Sequence, residues 1–490
     1  MGRYIIALDQ GTTSSRAVVF GENHRVVAIA QKETTQYFPQ DGWVEQDAHE
    51  IWSSTYGVLQ EAIAKARISA KDIVAIGITN QRETTILWDK DTGEAVAPAI
   101  VWQCRRTMDR CENLRKENKA EAIREKTGLF LDAYFSATKI AWILDAVDPE
   151  RKKAKEGKLL FGTVDSWLLY KLTDGKVHAT DYTNASRTML FNIHTASWDA
   201  DLLAWLDIPK AMLPEVKPSG AFYGLASQLH DVPITALVGD QQSALYGHGC
   251  HKEGMAKCTY GTGCFLLMHT GKTPLFSQYG LVTTVAAGHD KKPSYALEGS
   301  VFIGGAVIQW LRDGLQILKT AADSDAFAKK LSSNEGVYLV PAFVGLGAPH
   351  WQMHVRGAMY GLTRATTREH FIRAALEAIA YQVQDITGAM EQDTGLVIPA
   401  LRAGGGACNN DFLMQFQADI LNKPVIRPEE TEITAYGAAA LAAETVGLWS
   451  KGSESVEEKP FKTYTSMMDE KERTKNIAGW KKALAKTMLE

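Results

Sequence analysis

Short apolar runs of strand length alternate along this chain with turns rich in glycine, serine and threonine. The first two runs, 4–8 and 17–20, enclose the polar loop 9–16. Two β-rich runs around a Gly/Thr/Ser loop are typical of a hairpin. The pattern returns where 255–260 and 265–268 enclose a second Gly/Thr turn. The repetition predicts a duplicated unit, with one hairpin in each of two related domains that face each other across a cleft.

Further strands and helices are predicted between and after the hairpins. A capping box at 47–50 predicts the start of a helix, and the apolar run 73–78 predicts a buried strand. Shorter predicted strands follow at 86–88, 99–102 and 236–239. In the second half, helices are predicted after Gly305, from the capping box at 366–369, after the triple glycine 404–406 and in the Ala-rich run 436–443. The charged residues 451–490 predict a peripheral helical appendage.

Length, charge and cysteine content narrow the class of protein. A chain of 490 residues is too long for one hydrophobic core, and its 45% hydrophobic and 22% charged content is that of a globular protein. A net charge of −4 without a Lys/Arg cluster excludes a nucleic-acid-binding surface. Six cysteines without a Cys-x-x-Cys motif indicate free thiols in a reducing compartment. With no leader sequence or apolar span, these features predict a soluble cytoplasmic protein that does not insert in membranes.

The first hairpin loop has the composition of an anion-binding turn. Gly11 allows a ligand to approach the backbone, and neighbouring N–H groups and hydroxyls would donate to phosphate oxygens. Asp9 would repel a bare phosphate, so its position indicates Mg²⁺ between them. The alternative is an ordinary hairpin turn. The stretch 270–273 resembles the end of a P-loop, but Leu266 stands where that motif requires glycine.

Polar side chains follow several predicted strands. Arg82 and Glu83 come after the strand 73–78, and their charges suit a polyhydroxylated molecule; the alternative is a solvated ion pair on a loop. Asp240 follows the strand 236–239, and ligands of open α/β sheets gather at such strand ends. Its alternative role is that of a helix N-cap. Trp102 is either a pocket wall or a core residue.

With these residues identified, the chain resembles the FGGY carbohydrate kinase family, within the actin-like ATPase superfamily, over nearly its whole length. The most specific matches are the stretches 7–16, 77–85, 100–106, 181–191, 239–242 and 259–263. The resemblance implies an α/β fold of two ribonuclease-H-like domains with a cleft between them. It places the N-terminal FGGY domain at 1–247 and the C-terminal FGGY domain at 248–490.

The resemblance also implies an activity and its participants. The expected reaction is Mg²⁺-dependent transfer of the γ-phosphoryl group of ATP to glycerol, which gives sn-glycerol 3-phosphate and ADP. ATP would be the co-substrate, and the enzyme would be a homodimer or homotetramer. Some bacterial members of the family carry a glycine-rich loop that binds fructose 1,6-bisphosphate. The matching stretch 226–233 has neither those glycines nor the arginine, so this regulation is not expected here.

The family's functional residues map onto this sequence as follows. Asp240 would be the general base, and Asp9 would organise Mg²⁺ through water, with Asp240 as the second metal-site carboxylate. The glycerol site would comprise Arg82, Glu83, Tyr134, Asp240 and Gln241, with Trp102 and Phe265 on the carbon chain. The nucleotide phosphates would be held by Thr12, Thr13, Ser14 and Arg16. The rest of the nucleotide pocket would comprise Thr262, Gly305, Gln309, Gly406 and Asn410.

Three other functions are open on the sequence alone. The chain could phosphorylate another polyol or a ketose such as xylulose. It could be a nucleotide-switched chaperone or filament subunit with the same ATPase core. It could also bind these ligands as a regulator without reacting. The Arg82–Glu83 pair and Trp102 favour glycerol, and a base at Asp240 would have no purpose in a pure ATPase switch.

Overall fold

The computed structural model describes residues 2–429, 431–450 and 461–489. Its strands are β1 Tyr4–Gln10, β2 Ser14–Gly21, β3 Val26–Glu33, β4 Glu45–Gln46, β5 Ile73–Asn80, β6 Ile86–Asp89, β7 Ala99–Ile100, β8 Leu159–Gly162, β9 Ala179–Asp181, β10 Phe191–Asn192, β11 Ser197–Trp198, β12 Glu215–Lys217, β13 Gly220–Ala226, β14 Val232–Gly239, β15 Ala256–Tyr260, β16 Cys264–Gly271, β17 Val282–Ala286, β18 Ser294–Val301, β19 Tyr338–Val340, β20 Ala358–Tyr360, β21 Leu401–Gly404, β22 Val425–Pro428 and β23 Phe461–Tyr464.

The helices connect these strands and cover the faces of the sheets. They are α1 Ala48–Ala66, α2 Met108–Lys116, α3 Ala120–Thr127, α4 Ser136–Val147, α5 Lys152–Lys155, α6 Val164–Leu172, α7 Tyr182–Ala185, α8 Ala200–Trp205, α9 Asp240–Gly247, α10 Ala306–Asp313, α11 Asp323–Ala328, α12 Arg368–Thr394, α13 Asp411–Leu421, α14 Ile433–Thr445 and α15 Glu470–Thr487. Within the described residues, no helix combines the length and the apolar character that crossing a bilayer requires.

The first lobe is built on a sheet with the strand order β13-β14-β5-β1-β2-β3. Strands β1, β5 and β14 are parallel, and their registers align Gln10 with Asn80 and Asn80 with Gly239. Because parallel strands end at the same edge of a sheet, the residues after these three strands come together there. Their interiors are continuous apolar runs, which explains the deep burial of this part of the sheet.

The second lobe repeats this topology in the sheet β17-β18-β16-β15-β21-β22-β23. Strand β15 pairs with β16 as an antiparallel hairpin and with β21 in parallel. In the first lobe, β1 pairs in the same way with β2 and with β5. The antiparallel strand β23 closes the far edge, as β13 does in the first lobe. The structure therefore contains the two hairpins of the predicted duplication in equivalent positions.

Helix α14 joins the two halves of the chain. Its alanines pack on β1, β5 and β14, so a helix from the end of the chain covers a face of the first sheet. The approach is very close at Gly77, where an added Cβ would lie 2.3 Å from the carbonyl oxygen of Ala438. Only glycine fits there, which accounts for the tight packing that the Ala-rich run predicts.

The end of the chain is more deeply embedded than its charge predicts. Strand β23 completes the second sheet, and Trp480 of α15 is buried against Tyr381 of α12 with stacked rings 5.3 Å apart. The expectation of a peripheral appendage is therefore wrong for residues 461–489. Residues 451–460 lie outside the described part of the chain.

Candidate active site

The ends of β1, β5 and β14 bring the predicted polar residues to one place. Arg82 and Glu83 follow β5, and their side chains are only 3% and 1% exposed. The alternative of a solvated loop pair is therefore wrong. Glu83 adopts a left-handed conformation with φ of 63°, a strained geometry that turns the chain sharply after the strand.

Arg82 and Glu83 belong to a buried ring of four charges that also contains Arg187 and Glu298. Arg82 donates two hydrogen bonds to Glu298, at 2.6 and 3.0 Å. Arg187 donates to Glu83 at 2.5 Å and to Glu298 at 3.0 Å. Arg82 Nε lies 3.9 Å from Glu83 and closes the ring. Because Glu298 lies on β18 and the other three belong to the first lobe, the ring ties the two lobes together.

The ring sets the protonation of its two acids in opposite directions. Burial opposes ionisation of Glu298, but the charges of Arg187 and Arg82 outweigh it and lower the pKa of Glu298 to about 2. Burial dominates at Glu83 and raises the pKa of that carboxyl, although Arg187 and Arg82 oppose the rise. Glu298 is therefore the firmly ionised partner of both arginines.

Asp240 lies at the mouth of this charged ring. It is the first residue of α9, and Gly239 occupies the N-cap position, so the helix-cap alternative is wrong for Asp240. Its Oδ1 lies 3.3 Å from Arg82 Nε and accepts from the backbone N–H of Gln241 at 2.7 Å. Its side chain is 27% exposed, which leaves the carboxylate accessible to a ligand in the cleft.

Three aromatic side chains form a wall beside the charges. Trp102 meets Tyr134 and Phe265 edge to face, with ring centroids 5.5 and 6.4 Å apart. The Arg187 guanidinium lies 5.5 Å from the Tyr134 ring, and burial raises the pKa of the Tyr134 phenol above its usual range. Trp102 is half-buried, and its indole N–H donates to the Thr12 hydroxyl at 2.9 Å. Trp102 therefore forms part of the aromatic wall and also contacts the first hairpin loop.

A network of buried amides fixes the first hairpin loop. Gln46 donates to the Thr12 carbonyl at 2.7 Å, and Gln10 donates to the Gly11 carbonyl at 2.8 Å. Gln81, immediately before Arg82, donates to Gln46 at 2.9 Å and to Gln10 at 3.1 Å. These contacts hold the backbone of the loop, while the Thr12 hydroxyl accepts from Trp102 at 2.9 Å and the Ser14 hydroxyl accepts from Gln31 at 3.2 Å.

Asp9 lies opposite Arg16 in the hairpin and is half-buried. Burial raises its pKa to about 7; Arg16 opposes the rise, and the carboxylates of Asp240 and Glu432 add to it. No side chain of the described residues donates a hydrogen bond to the Asp9 carboxylate, and Arg16 pairs with Glu432. A carboxylate held near other acids and short of donors fits a divalent cation.

A complete protein cage for a metal is absent from the described residues, where no cluster of three or more His, Cys, Asp or Glu side chains is arranged to hold an ion. The predicted Mg²⁺ does not require such a cage, since this ion is bound by one or two carboxylates together with waters and substrate phosphates. Asp9 and Asp240 would supply those carboxylates.

The second hairpin faces a glycine-rich surface. Gly304 and Gly305 donate to the Thr262 and Gly261 carbonyls, both at 2.8 Å, which fixes the N-terminus of α10 against the turn. Gly405 has φ of 85° and packs against the Tyr260 carbonyl, so a side chain would not fit there. An added Cβ at Gly406 would meet only open space. The glycine run therefore exposes backbone beside the turn.

The remaining predicted nucleotide residues lie around the same surface. Gln309 is exposed on α10, one helical turn after Gly305. Asn410 is the N-cap of α13: its side chain accepts from the Leu413 N–H at 2.8 Å and donates to Ser324 at 3.0 Å. Asn410 thus has a structural role in addition to the predicted ligand contact, because it fixes the helix that follows the glycine run.

Two equivalent lobes, each with a hairpin and a glycine-containing turn at its strand ends, define a two-lobed α/β protein with charged and polar side chains at those strand ends. Sequence comparison narrows this class. The profile of the FGGY family of carbohydrate kinases matches residues 4–247 with its N-terminal domain and 256–445 with its C-terminal domain. The chain belongs to the FGGY family of carbohydrate kinases.

Individual relatives agree with this assignment. The chain is 54% identical over 493 residues to the glycerol kinase of Geobacillus kaustophilus (strain HTA426), covering 100% of this chain and 99% of the relative. It is 57% identical over 492 residues to the glycerol kinase of Clostridium botulinum (strain Alaska E43 / Type E3), with 99% of each covered. Its fold matches the crystal structure of Plasmodium falciparum glycerol kinase with ADP at a TM-score of 0.93 and 35% identity, covering 100% and 99% of the two chains.

The expectations of an FGGY-family member with an α/β fold of two actin-like domains are confirmed. The ligand roles of the individual residues stay predictions. The structure adds side chains to which sequence reasoning gives no individual role, above all Glu298, Lys257 and Arg187, the last of which lies within the matched stretch 181–191. A signal was available for two of them, since Glu298 and Lys257 are single charges inside otherwise apolar strands.

Proposed function

We propose that this protein is an ATP-dependent kinase of glycerol, which produces sn-glycerol 3-phosphate and ADP. The observation that carries the proposal is the accessible Asp240 carboxylate, 3.3 Å from the buried Arg82 and on the same sheet edge as the Asp9 hairpin. Relatives with more than 50% identity along their full length carry the name glycerol kinase, which supports this choice of acceptor within the family.

Glycerol has three hydroxyls and little apolar surface, so its affinity must come from charge-assisted hydrogen bonds. Arg82 and Glu83 provide such partners, already oriented by Arg187 and Glu298. Prior orientation lowers the entropic cost of binding, because the side chains need not be ordered when the substrate arrives. Tyr134 and Gln241 complete the polar contacts, while Trp102 and Phe265 cover the carbon chain.

Asp240 acts as the general base. A terminal hydroxyl of glycerol is a poor nucleophile, and Asp240 accepts its proton as the oxygen forms a bond to the γ-phosphorus and the bond to the β-phosphate oxygen breaks. The leaving group departs as ADP. The adjacent Arg82 favours the orientation of the carboxylate through the 3.3 Å contact of its Nε.

The loop residues Thr12, Thr13 and Ser14 bind phosphate oxygens, and Arg16 contributes positive charge near them. Mg²⁺, held by Asp9 and Asp240, supplies neutralisation of the phosphate charge when bound. The nucleotide extends over the second lobe, where Thr262, Gly305, Gln309, Gly406 and Asn410 line its pocket. The domains extend over residues 1–247 and 248–490.

Two further properties belong to the same proposal. The enzyme works in the cytoplasm, which the six buried and unbridged cysteines favour. It assembles as a homodimer or homotetramer, which size-exclusion chromatography with light scattering would test.

Substitution of Asp240→Asn tests the mechanism. It keeps the shape of the side chain but removes the proton acceptor, so we expect turnover to fall by about 10²- to 10⁴-fold, with glycerol binding largely retained. A coupled assay for ADP measures turnover, and Asp91→Asn, an exposed loop residue of the same lobe, is the matched control. Full activity of Asp240→Asn would exclude this base.

A panel of acceptors tests the substrate. Glycerol should give the fastest ADP release, since the pocket presents charged partners to a small molecule. Faster turnover with xylulose would identify a ketose kinase instead. ATP hydrolysis that is independent of any polyol would favour an ATPase switch.

A further inference from the structure

Lys257 is a fully buried lysine on β15, at the start of the second lobe. The reaction proposed above gives it no role. Its ammonium donates to three uncharged acceptors: the Gln241 side-chain oxygen at 2.6 Å, the Thr259 hydroxyl at 2.9 Å and the Phe265 carbonyl at 3.4 Å. A cation without a hydrogen-bonded carboxylate is expensive to bury, so its retention here calls for a reason other than stability.

The shortest of these bonds determines the orientation of the Gln241 amide. An ammonium only donates hydrogen bonds, so the amide oxygen must face Lys257. The amide nitrogen then faces Asp240, and its Nε2 lies 3.2 Å from Asp240 Oδ2. The reverse orientation would place the amide oxygen against a carboxylate oxygen, which is repulsive. Lys257 therefore determines which end of Gln241 meets the base.

Gln241 in turn holds both oxygens of Asp240. Its backbone N–H donates to Oδ1 at 2.7 Å, on the side where Arg82 Nε also lies, and its side chain donates to Oδ2. Oδ1 thus faces two donors and Oδ2 faces one. Oδ2 is the less occupied oxygen, and it keeps a lone pair for the proton of the substrate.

We propose that Lys257 is a positioning residue for phosphoryl transfer: acting through the Gln241 amide, it holds the Asp240 carboxylate with Oδ2 ready to accept the hydroxyl proton. The inference rests on the function proposed above. It also crosses between the lobes, since α9 closes the first lobe and β15 opens the second. The same ammonium contacts the backbone of Phe265, so it links the base to the wall of the polyol pocket.

The environment of Lys257 supports a functional rather than a stabilising role. Burial lowers the pKa of Lys257 to about 8; the charges of Asp240 and Glu298 favour its cationic form, and Arg82 opposes it. If the residue only stabilised the fold, an apolar side chain of similar length would do so better than a buried lysine.

The test uses steady-state kinetics of Lys257→Met, Gln241→Leu and the double variant. The matched control is Lys272→Met, an exposed lysine immediately after β16. Each single change at the relay should lower kcat by between about tenfold and 100-fold, because misplacing a catalytic group has effects of this size. The KM for ATP should change by less than about twofold. The kcat of the double variant should lie within about twofold of the kcat of the slower single variant, since both changes interrupt the same chain of hydrogen bonds from Lys257 through Gln241 to Asp240.

Losses that multiply in the double variant would overturn the proposal, as would a wild-type kcat for Lys257→Met. A lower melting temperature of Lys257→Met together with higher KM values for both substrates would show a structural role and would also overturn the proposal. If Lys257→Met does not fold, Thr259→Val removes one acceptor of the ammonium and is used in its place. It should lower kcat by about threefold, without multiplying the loss of Gln241→Leu.

The proposed function and this inference are decided separately. Turnover of the wild-type chain with glycerol tests the function. The variants are compared with whichever acceptor of the polyol panel the wild type phosphorylates fastest, so a different substrate leaves the comparison of variants intact.

Discussion

Substitution of Glu298→Gln should destabilise this protein more than any exposed acid-to-amide change. Glu298 accepts hydrogen bonds from Arg82 and Arg187 at 2.6, 3.0 and 3.0 Å, and its side chain is 2% exposed. The amide keeps the shape but loses the charge, which leaves two buried guanidinium groups with Glu83 as the only carboxylate of the ring. Breaking a buried ion pair in this way costs about 3–5 kcal/mol.

The pKa of Glu298 gives a magnitude by a separate route. A fall from 4.5 to about 2 on folding corresponds to about 3 kcal/mol, at roughly 1.4 kcal/mol for each pKa unit. Because the folded pKa lies below the unfolded one, this stabilisation is present above pH 4.5 and is lost as the pH falls towards 2. The difference between the wild type and Glu298→Gln should therefore be largest near neutral pH and shrink below about pH 4.5.

Equilibrium urea unfolding followed by tryptophan fluorescence measures this difference, with Glu253→Gln as an exposed control on the same lobe. A loss below about 1 kcal/mol, or one equal to that of Glu253→Gln, would refute the reasoning. Adding Arg187→Gln to Glu298→Gln removes the excess positive charge. The double variant should therefore lose less stability than the sum of the two single changes, by about 1–3 kcal/mol.

Four further substitutions test other parts of the structure. Gly77→Ala should cost about 1–3 kcal/mol through overpacking against α14. Gly388→Ala inside α12, where an added Cβ would meet only Gln384 Nε2 at 3.9 Å, should stabilise by about 0.5–1 kcal/mol. Thermal unfolding measures both changes. Asp9→Asn should abolish Mg²⁺-dependent turnover. In EDTA at pH 8 the same change should stabilise the fold by between about 1 and 4 kcal/mol, because it removes a buried carboxylate whose ionisation opposes folding. This gain should shrink as the pH falls from about 7 towards 4, where the wild-type carboxyl is protonated. Trp102→Phe removes the donor to the Thr12 hydroxyl, so the KM for ATP should rise about fivefold; an unchanged KM for ATP would show that Trp102 is only a wall.

Much of the first lobe could be predicted from the sequence, because its signals are local. The predicted strand 73–78 is β5, and the runs 4–8 and 17–20 form β1 and β2. The observed strands extend further, since the ladder continues through polar residues that hydropathy does not mark as strand. The run 99–102 is the exception: only Ala99–Ile100 forms a strand, and it pairs with the two-residue β4.

The charge ring could not be predicted in the same way. Arg82 and Glu298 are 216 positions apart, and nothing near either residue indicates the other. Sequence reasoning recognised Arg82 and Glu83 because they follow a strand among polar neighbours. Sequence reasoning does not select Glu298, because no motif surrounds it, although a lone acid in a buried strand must have a partner.

The equivalent topology of the two lobes accounts for the different ligands proposed for them. The loop after β5 contains Arg82 and Glu83, while the loop after β21, the equivalent strand, begins with Gly405 and Gly406. Charges at one site suit a small molecule with hydroxyls, and bare backbone at the other allows a large flat ligand to approach. Since the strands that carry these loops pair in the same order, the difference in function lies in the few residues after each strand. Under the proposed assignment, exchanging the ligands of the two lobes would require changes in those loops and at the partner charge on β18, while the strand order of both sheets would stay the same.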